Sequence, residues 1–292
     1  MWIRLICLFL IVVASTPFAM AQDLLRWKLG ANDELKYHVA QTQKMKQQFG
    51  TNSQTTTVQQ AMSMLWAVDS VSNNGLAKMQ QRVERVRLKI DSGRGVVEFD
   101  TQEPAPPEDP LLAAMTSSLQ KIVGKNFQVT MTNQGNVQDV VVPDDLLQAL
   151  QTGVGANAGG INPETIKQMM KQSPITLPET AVQPGYKWAS ERSVDLGFGT
   201  MVIKSAMTYV KKDGSGNAVI AVVPEIKLVP KENQQLVVEL KSSSGGGELL
   251  FNINQGRIVR SKLDTNMTMK VTMANGAISN QEIAQKLVMT LK

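Results

Sequence analysis

A two-residue period of apolar side chains runs through most of this 292-residue chain and restricts it to folds built mainly from β-strands. Side chains on a strand point to opposite faces in turn, so such a period places the apolar residues on one face. The clearest stretch has Met267, Met269, Val271 and Met273 in one phase. Four further stretches follow the same rule: Met62, Met64, Trp66, Val68; Val86, Leu88, Ile90; Phe127, Val129, Met131; and Met201, Ile203, Met207, Tyr209.

Short segments rich in Asn, Asp and Gly separate these stretches, as expected for turns between strands. The segments are Asn73-Asn74-Gly75, Asn133-Gln134-Gly135, Asp213-Gly214-Ser215-Gly216, Asn254-Gln255-Gly256 and Asn275-Gly276. Short connections imply antiparallel pairing, and one-sided alternation implies a sheet with one face in water. The sequence therefore predicts an α+β protein made mostly of antiparallel curved β-sheet, either half-barrel-like or arranged as two packed sheets.

Two or three helices are expected from the middle of the chain. Residues 108–123 have apolar positions at helical spacing after an acidic start with a proline, and 144–151 and 163–172 each follow or begin with a proline. The last segment, 279–292, is ambiguous: Ser279 with Glu282 mimics a helix-capping pair, but a strand is favoured. Similar stretches at 61–65 and 206–210 predict two related halves, 22–152 and 186–292, with a Gly/Pro linker and short helix at 153–185.

The first 21 residues have the layout of a cleavable signal peptide. Arg4 precedes an apolar run of nine residues, 5–13, and Ala19-Met20-Ala21 fits a cleavage site. A membrane-spanning helix needs about 20 apolar residues, so cleavage is favoured over anchoring, and the mature chain contains no second segment of that length. We therefore expect a periplasmic or extracellular protein. Segment 1–21 holds one base and no acid, so the net charge of +5 becomes +4 on cleavage.

Composition argues against several chemistries in the mature chain. Cys7, the only cysteine, lies in the signal segment, so disulfides, cysteine nucleophiles and thiolate metal sites are excluded after cleavage. The single histidine, His38, lies in an alternating segment and is interpreted as a strand residue facing solvent or a groove. The basic residues between Lys78 and Arg94 are interpreted as a solvated strand face, and without interleaved aromatic residues they do not predict nucleic-acid binding.

No motif predicts catalytic, cofactor-binding or metal-binding residues, and an enzyme is not favoured. The glycines from Gly153 to Gly159 follow a helix-like segment and have the wrong spacing for a nucleotide site, so they indicate a linker. Ser242–Gly247 is interpreted as a turn or flexible segment. Three methionine pairs leave three readings open, namely core packing, an apolar ligand groove, or Cu(I) ligation. The pairs are Met62 with Met64, Met267 with Met269, and Met169 with Met170.

Two short elements resemble an uncharacterised family of secreted bacterial proteins. They are Leu25-Arg26-Trp27-Lys28-Leu29-Gly30, which is followed by Leu35-Lys36-Tyr37-His38-Val39, and Leu177-Pro178, which is followed by Gly185-Tyr186-Lys187-Trp188. The resemblance implies export and a β-rich fold but no known activity. At the level of architecture the chain is also similar to the half-barrels of periplasmic lipoprotein carriers, whose curved sheet holds acyl chains.

These observations favour a non-enzymatic envelope protein of unknown function that binds an apolar or lipid-like ligand in a concavity of its sheet. The alternative is a structural or assembly component that contacts other envelope proteins through exposed strand edges. Neither reading involves nucleic acid.

Overall fold

The computed structural model describes residues 22–93, 95–103, 110–148, 167, 170–171, 175–231 and 236–292. Helix α1 is Pro110–Ile122, and residues 144–148 form a second short helical segment. The strands are β1 Glu34–Phe49, β2 Asn52–Val71, β3 Ala77–Asp91, β4 Val96–Asp100, β5 Asn126–Met131, β6 Val137–Val141, β7 Lys187–Asp195, β8 Gly199–Lys212, β9 Asn217–Pro230, β10 Leu236–Asn252, β11 Arg257–Met273 and β12 Ile278–Leu291.

The twelve strands belong to one antiparallel sheet, in the order β6-β5-β3-β2-β1-β12-β11-β10-β9-β8-β7, with β4 paired to the second half of β3. This confirms the expected sheet, although the described helices are fewer and shorter than expected. The helix predicted at 108–123 is present as α1, and the one at 144–151 is present over 144–148. In the third predicted helix, residues 167, 170 and 171 are helical, and its other residues lie outside the described part of the chain.

The first and last strands are neighbours, and their pairing joins the two halves of the chain. Tyr37 of β1 lies opposite Leu291 of β12, and the register continues without a break to Phe49 opposite Ser279. The C-terminal segment is therefore a strand, as favoured. The halves proposed at 22–152 and 186–292 contribute β1–β6 and β7–β12. The signal segment 1–21 and residues 153–166 of the proposed linker lie outside the described residues.

The sheet is strongly curved. Neighbouring strands lie about 4.8 Å apart, so a flat sheet of eleven strands would separate its two edges by about 48 Å. Instead, one core cluster contains Val140 of β6 and Met207 of β8, with Trp188 of β7 packed against it. We call the face that carries this cluster the apolar face, and the opposite face the polar face. Apolar side chains outnumber polar ones on the first, and nearly all strand charges lie on the second.

The core is concentrated at one end of the strands, which we call the closed end. There, residues 23–29 and 175–186 run across the sheet and bury side chains such as Leu25, Trp27 and Leu177. The other end, which we call the far end, contains the hairpin between β1 and β2 and the hairpin between β11 and β12. Burial of apolar area at the closed end is the main contribution that stabilises the fold.

One sequence interpretation is wrong. Ser242–Gly247 is not a turn or flexible segment but the middle of β10, opposite Leu263–Thr268 of β11. A Cβ on Gly245 would lie 2.8 Å from the Asp264 carbonyl oxygen, and one on Gly247 would lie 2.1 Å from that of Lys262. At Gly245 and Gly247 no side chain fits, because the two backbones approach so closely, whereas Gly246 has open space.

Candidate ligand-binding face

The pairing registers place most apolar strand residues on one face, in rows that alternate around β1 and β12 with polar residues such as Gln43, Gln285 and Thr265. On β1, β12 and β11, for example, Met45, Ile283 and Met267 lie side by side. On β7, β8 and β9 the corresponding row is Val194, Met201 and Leu228. Directly opposed side chains have Cβ atoms about 5 Å apart, so such rows form a contacting surface. Apolar rows therefore occur on both sides of the sheet, and polar side chains lie between them near β1 and β12.

Exposure of this surface changes along the strands. At the closed end Leu35 and Met79 are 1% and 0% exposed. Towards the far end burial is mixed: Met201, Ile203, Met267 and Met269 are partly buried, whereas Val238, Val271 and Ile283 are buried. At the far end itself, Phe49 is 39% exposed. The far half of the apolar face is thus a hydrophobic surface that remains partly in contact with solvent, and such surfaces mark binding sites in many proteins.

The middle of β10 contributes only small residues to this face. Ser243, Gly245 and Gly247 occupy its apolar-face positions, opposite Met267, Thr265 and Leu263. The ladder between β9 and β10 covers Asn217–Val222 with Gly247–Asn252 and ends before Pro224, which has no N–H to donate. Beyond it, the Ser243 hydroxyl donates to the Ile226 carbonyl at 3.2 Å. Side chains of the flanking strands, Pro224 of β9 and Thr265 and Leu263 of β11, therefore lie close above the glycine positions.

The closed end is sealed by the segment that follows the predicted cleavage site. Trp27 packs with ring centroids 5.9 Å from Trp66 and 6.0 Å from Phe251. Its backbone N–H donates to the Asn133 carbonyl, and that of Lys28 donates to the Gly256 carbonyl. Both acceptors belong to the two Asn-Gln-Gly turns, 133–135 and 254–256. The repeated motif therefore forms two similar turns that hold the same N-terminal segment.

A small polar network fixes the start of this segment. Asp23 accepts hydrogen bonds from the Tyr209 hydroxyl at 2.7 Å and from Lys212 at 2.9 Å. Burial by itself raises the pKa of Asp23, but the two hydrogen bonds outweigh it and the pKa lies below its usual value. Burial, together with the bond to Asp23, raises the pKa of Tyr209. The network has the features of a structural anchor, because each member is engaged with another.

Arg192 is the exception on the apolar face. Among charged residues that the pairing registers place in the described strands, only Arg192 and Lys212 fall on this face. Lys212 is exposed at the closed end and paired with Asp23. Arg192 is half-buried in the middle of β7, opposite Ile203. Its guanidinium has no hydrogen bond or ion pair with any described residue. Sequence reasoning did not single out Arg192, although Trp188 and Val194 lie in the same alternating phase and indicate that the Arg192 side chain is on the apolar face.

The residues considered from sequence do not converge on a catalytic or metal site. His38 lies half-buried on the polar face of β1, between Ser63 and Thr290. Met62 lies opposite Val39 of β1, and Met267 lies in the same row as Met45 of β1. Met62 and Met267 are therefore offset by six residues, or about 20 Å along the strands. Met169 lies outside the described residues. Among the residues that are described, no group of three or more His, Cys, Asp or Glu could hold a metal ion.

The polar face carries two shallow depressions, of about 560 and 380 Å³. In the larger one two of the three acids, Glu98 and Asp100, are engaged: Glu98 accepts from Lys89 at 2.6 Å, and Asp100 accepts from Arg85 in a two-pronged ion pair. The basic residues of β3 that sequence assigned to a solvated face do lie on this face, and Arg94 is outside the described residues. Two ion pairs therefore neutralise part of the charge that lines the larger depression.

No helix in the described part of the chain has the length and apolar character needed to cross a membrane. Residues 74–278 match a family of unknown function (DUF6263). No curated protein matches.

Among solved structures, the chain is similar to lipovitellin, from a study of its lipid–protein interactions, with 12% identity and a TM-score of 0.48 over 91% of this chain and 25% of that one. This chain thus spans about a quarter of the lipovitellin chain. An outer membrane channel from Pseudomonas putida F1 matches with 9% identity and a TM-score of 0.29, over 91% and 97% of the two chains. A putative outer membrane lipoprotein-sorting domain from Vibrio parahaemolyticus matches with 9% identity and a TM-score of 0.15, over 85% and 83%. All three TM-scores are below 0.5, so these likenesses fix neither fold nor function.

Proposed function

We propose that this chain, which belongs to the family of unknown function (DUF6263), is an exported protein that binds lipid-like molecules along the far half of its apolar face. One observation carries the proposal: the pairing registers sort the side chains so that a hydrophobic surface spans many strands and remains partly exposed. The partly buried Met201, Ile203, Met267 and Met269 are the positions that a bound acyl chain would cover. The signal-like segment 1–21 supports export.

The physical gain comes from burial. Each methylene group moved from water to an apolar surface contributes about 0.8 kcal/mol, so a chain of a dozen methylenes gains up to about 10 kcal/mol before the cost of immobilisation. Strand β11 has 17 residues and is about 55 Å long, which leaves room for an acyl chain along its far half. Unbranched methionine side chains on this surface adapt to ligands of different shape. These properties suit a binding protein with broad specificity for acyl chains.

The test is native mass spectrometry of the protein purified after export, before and after titration with a defined monoacyl lipid, 1-monopalmitoylglycerol. We expect adducts in the wild type. Met267→Lys introduces a charge among uncharged neighbours on the apolar face and should lower lipid occupancy about tenfold or more. Its matched control is Thr268→Lys, one residue along β11 on the polar face, which should bind as the wild type does.

Two outcomes would count against the proposal. A wild type that binds no monopalmitoylglycerol, or equal losses in both variants, would show that the apolar face is not the binding site.

The assembly alternative has one observation in its favour: β6 and β7 are the two edge strands of the described sheet. If the protein formed oligomers that grew with concentration, and a charged or proline residue placed in β7 prevented them, edge pairing would be the better account.

A further inference from the structure

Arg192 occupies a position that is costly for a free charge. It lies on the apolar face, opposite Ile203 of β8, and the next residue in that row is Ile226 of β9. The neighbours in its own phase along β7 are Ser190 and Val194. An unpaired guanidinium in such surroundings loses hydration without gaining a partner, which destabilises the protein. The Arg192 guanidinium is therefore available to a partner from outside the chain.

The chemistry of the partner follows from the side chain. Guanidinium groups pair with carboxylates and phosphates, because their planar N–H groups match two oxygens at once. The neighbouring apolar row would hold a hydrocarbon chain, and the adjacent Ser190 and Ser205, which lie opposite each other, offer hydroxyl donors near the same point. Consistent with this environment, burial lowers the pKa of the Arg192 guanidinium. The oxygens of an anionic group at this place would replace the water molecules that the guanidinium loses on burial.

We infer that Arg192 binds the anionic head group of an amphiphile whose acyl chain lies on the apolar face of β8 and β9. The inference rests on the proposed function and narrows it to ligands that carry a carboxylate or phosphate head. It also gives the site an orientation, with the head group at the β7 edge of the sheet and the chain directed towards its glycine-rich middle.

The test compares ligands with the same chain and different heads. Native mass spectrometry titrations use palmitate, 1-palmitoyl lysophosphatidic acid, 1-hexadecanol and inorganic phosphate. Wild type should bind the two anionic amphiphiles about tenfold or more tightly than hexadecanol, which is the range expected for a charge-assisted hydrogen bond. Arg192→Met should abolish this preference and leave hexadecanol unchanged. Comparison of palmitate with lysophosphatidic acid distinguishes a carboxylate ligand from a phosphate one, and inorganic phosphate tests whether the head alone suffices.

Two controls keep the outcomes separable. Arg260→Met removes an exposed arginine from the polar face of β11 and should leave all affinities unchanged. Because Arg192 has no partner among the described residues, Arg192→Met should fold with a melting temperature equal to or above that of the wild type. If hexadecanol and palmitate bind equally to wild type and Arg192→Met, the inference is wrong while the proposed function stands. If none of the amphiphiles binds wild type, both are wrong.

Discussion

Trp27 is the residue whose truncation tests most sharply whether the N-terminal segment is part of the folded protein. Its side chain is 7% exposed and stacks in a cluster with Trp66 and Phe251. Trp27→Ala removes the indole but keeps the backbone hydrogen bond to Asn133. The variant therefore reports on side-chain packing at the closed end and not on the path of the chain.

The magnitude follows from the buried area. A tryptophan buries about 150–250 Å², and at about 25 cal/mol per Å² its transfer contributes about 4–6 kcal/mol. Part of that is retained by alanine and by local collapse, and measured truncations of this type cost about 3–5 kcal/mol. We expect a loss of about 4 kcal/mol, which for a protein of this size lowers the melting temperature by about 10 °C.

Chemical denaturation and thermal melting of the mature protein provide the assay. The matched control is Leu24→Ala in the same segment, since Leu24 is 50% exposed and its truncation should change the free energy of unfolding by less than about 0.5 kcal/mol. If Trp27→Ala were as stable as Leu24→Ala, the N-terminal segment would not seal the closed end in solution, and the description of that end would be wrong.

Two further predictions concern the same end of the molecule. Asp23→Asn should reduce stability at pH 7, because the folded state pairs the Asp23 carboxylate with Lys212 and lowers the pKa of Asp23. Melting curves across pH should show the difference in stability from wild type shrinking as the pH falls below about 4. A difference that did not change with pH would contradict this prediction. Gly256→Ala should destabilise the protein far more than Gly276→Ala. Both glycines have positive φ, which costs alanine about 1–2 kcal/mol. A Cβ at Gly256 would also lie 2.4 Å from Lys28, whereas a Cβ at Gly276 would lie in open space. Equal melting temperatures for the two glycine variants would refute this contact.

The strands could be predicted because their signal is local. A two-residue period is visible in the sequence at Met267, Met269 and Val271 without any other information, and the structure places all three on the apolar face of β11. The expected membership of an uncharacterised family is likewise confirmed by the match over residues 74–278. What a local pattern cannot supply is the pairing of β1 with β12, because that contact depends on how the intervening strands curve.

The glycines of β10 were misread for a related reason. Ser242–Gly247 has the composition of a flexible segment, and its strand conformation is decided by neighbours distant in sequence, such as the backbone of Lys262. Arg192 was missed because the polar sequence Glu191-Arg192-Ser193, with two adjacent charges, resembles that of any solvated strand. The role of Arg192 follows from two facts. It shares the alternating phase of Trp188 and Val194, and it has no partner among the described residues. The second fact can be seen only in the folded structure.

The exposed apolar face is the central claim, and photocrosslinking tests it most directly. A palmitate analogue with a diazirine in its acyl chain would be bound to the wild type, activated by light, and mapped by peptide mass spectrometry along β11. The account predicts crosslinks at alternate residues in the phase of Leu263, Met267 and Met269, with none at Thr268 or Lys270. Crosslinks in the opposite phase, or scattered without a period of two, would contradict it.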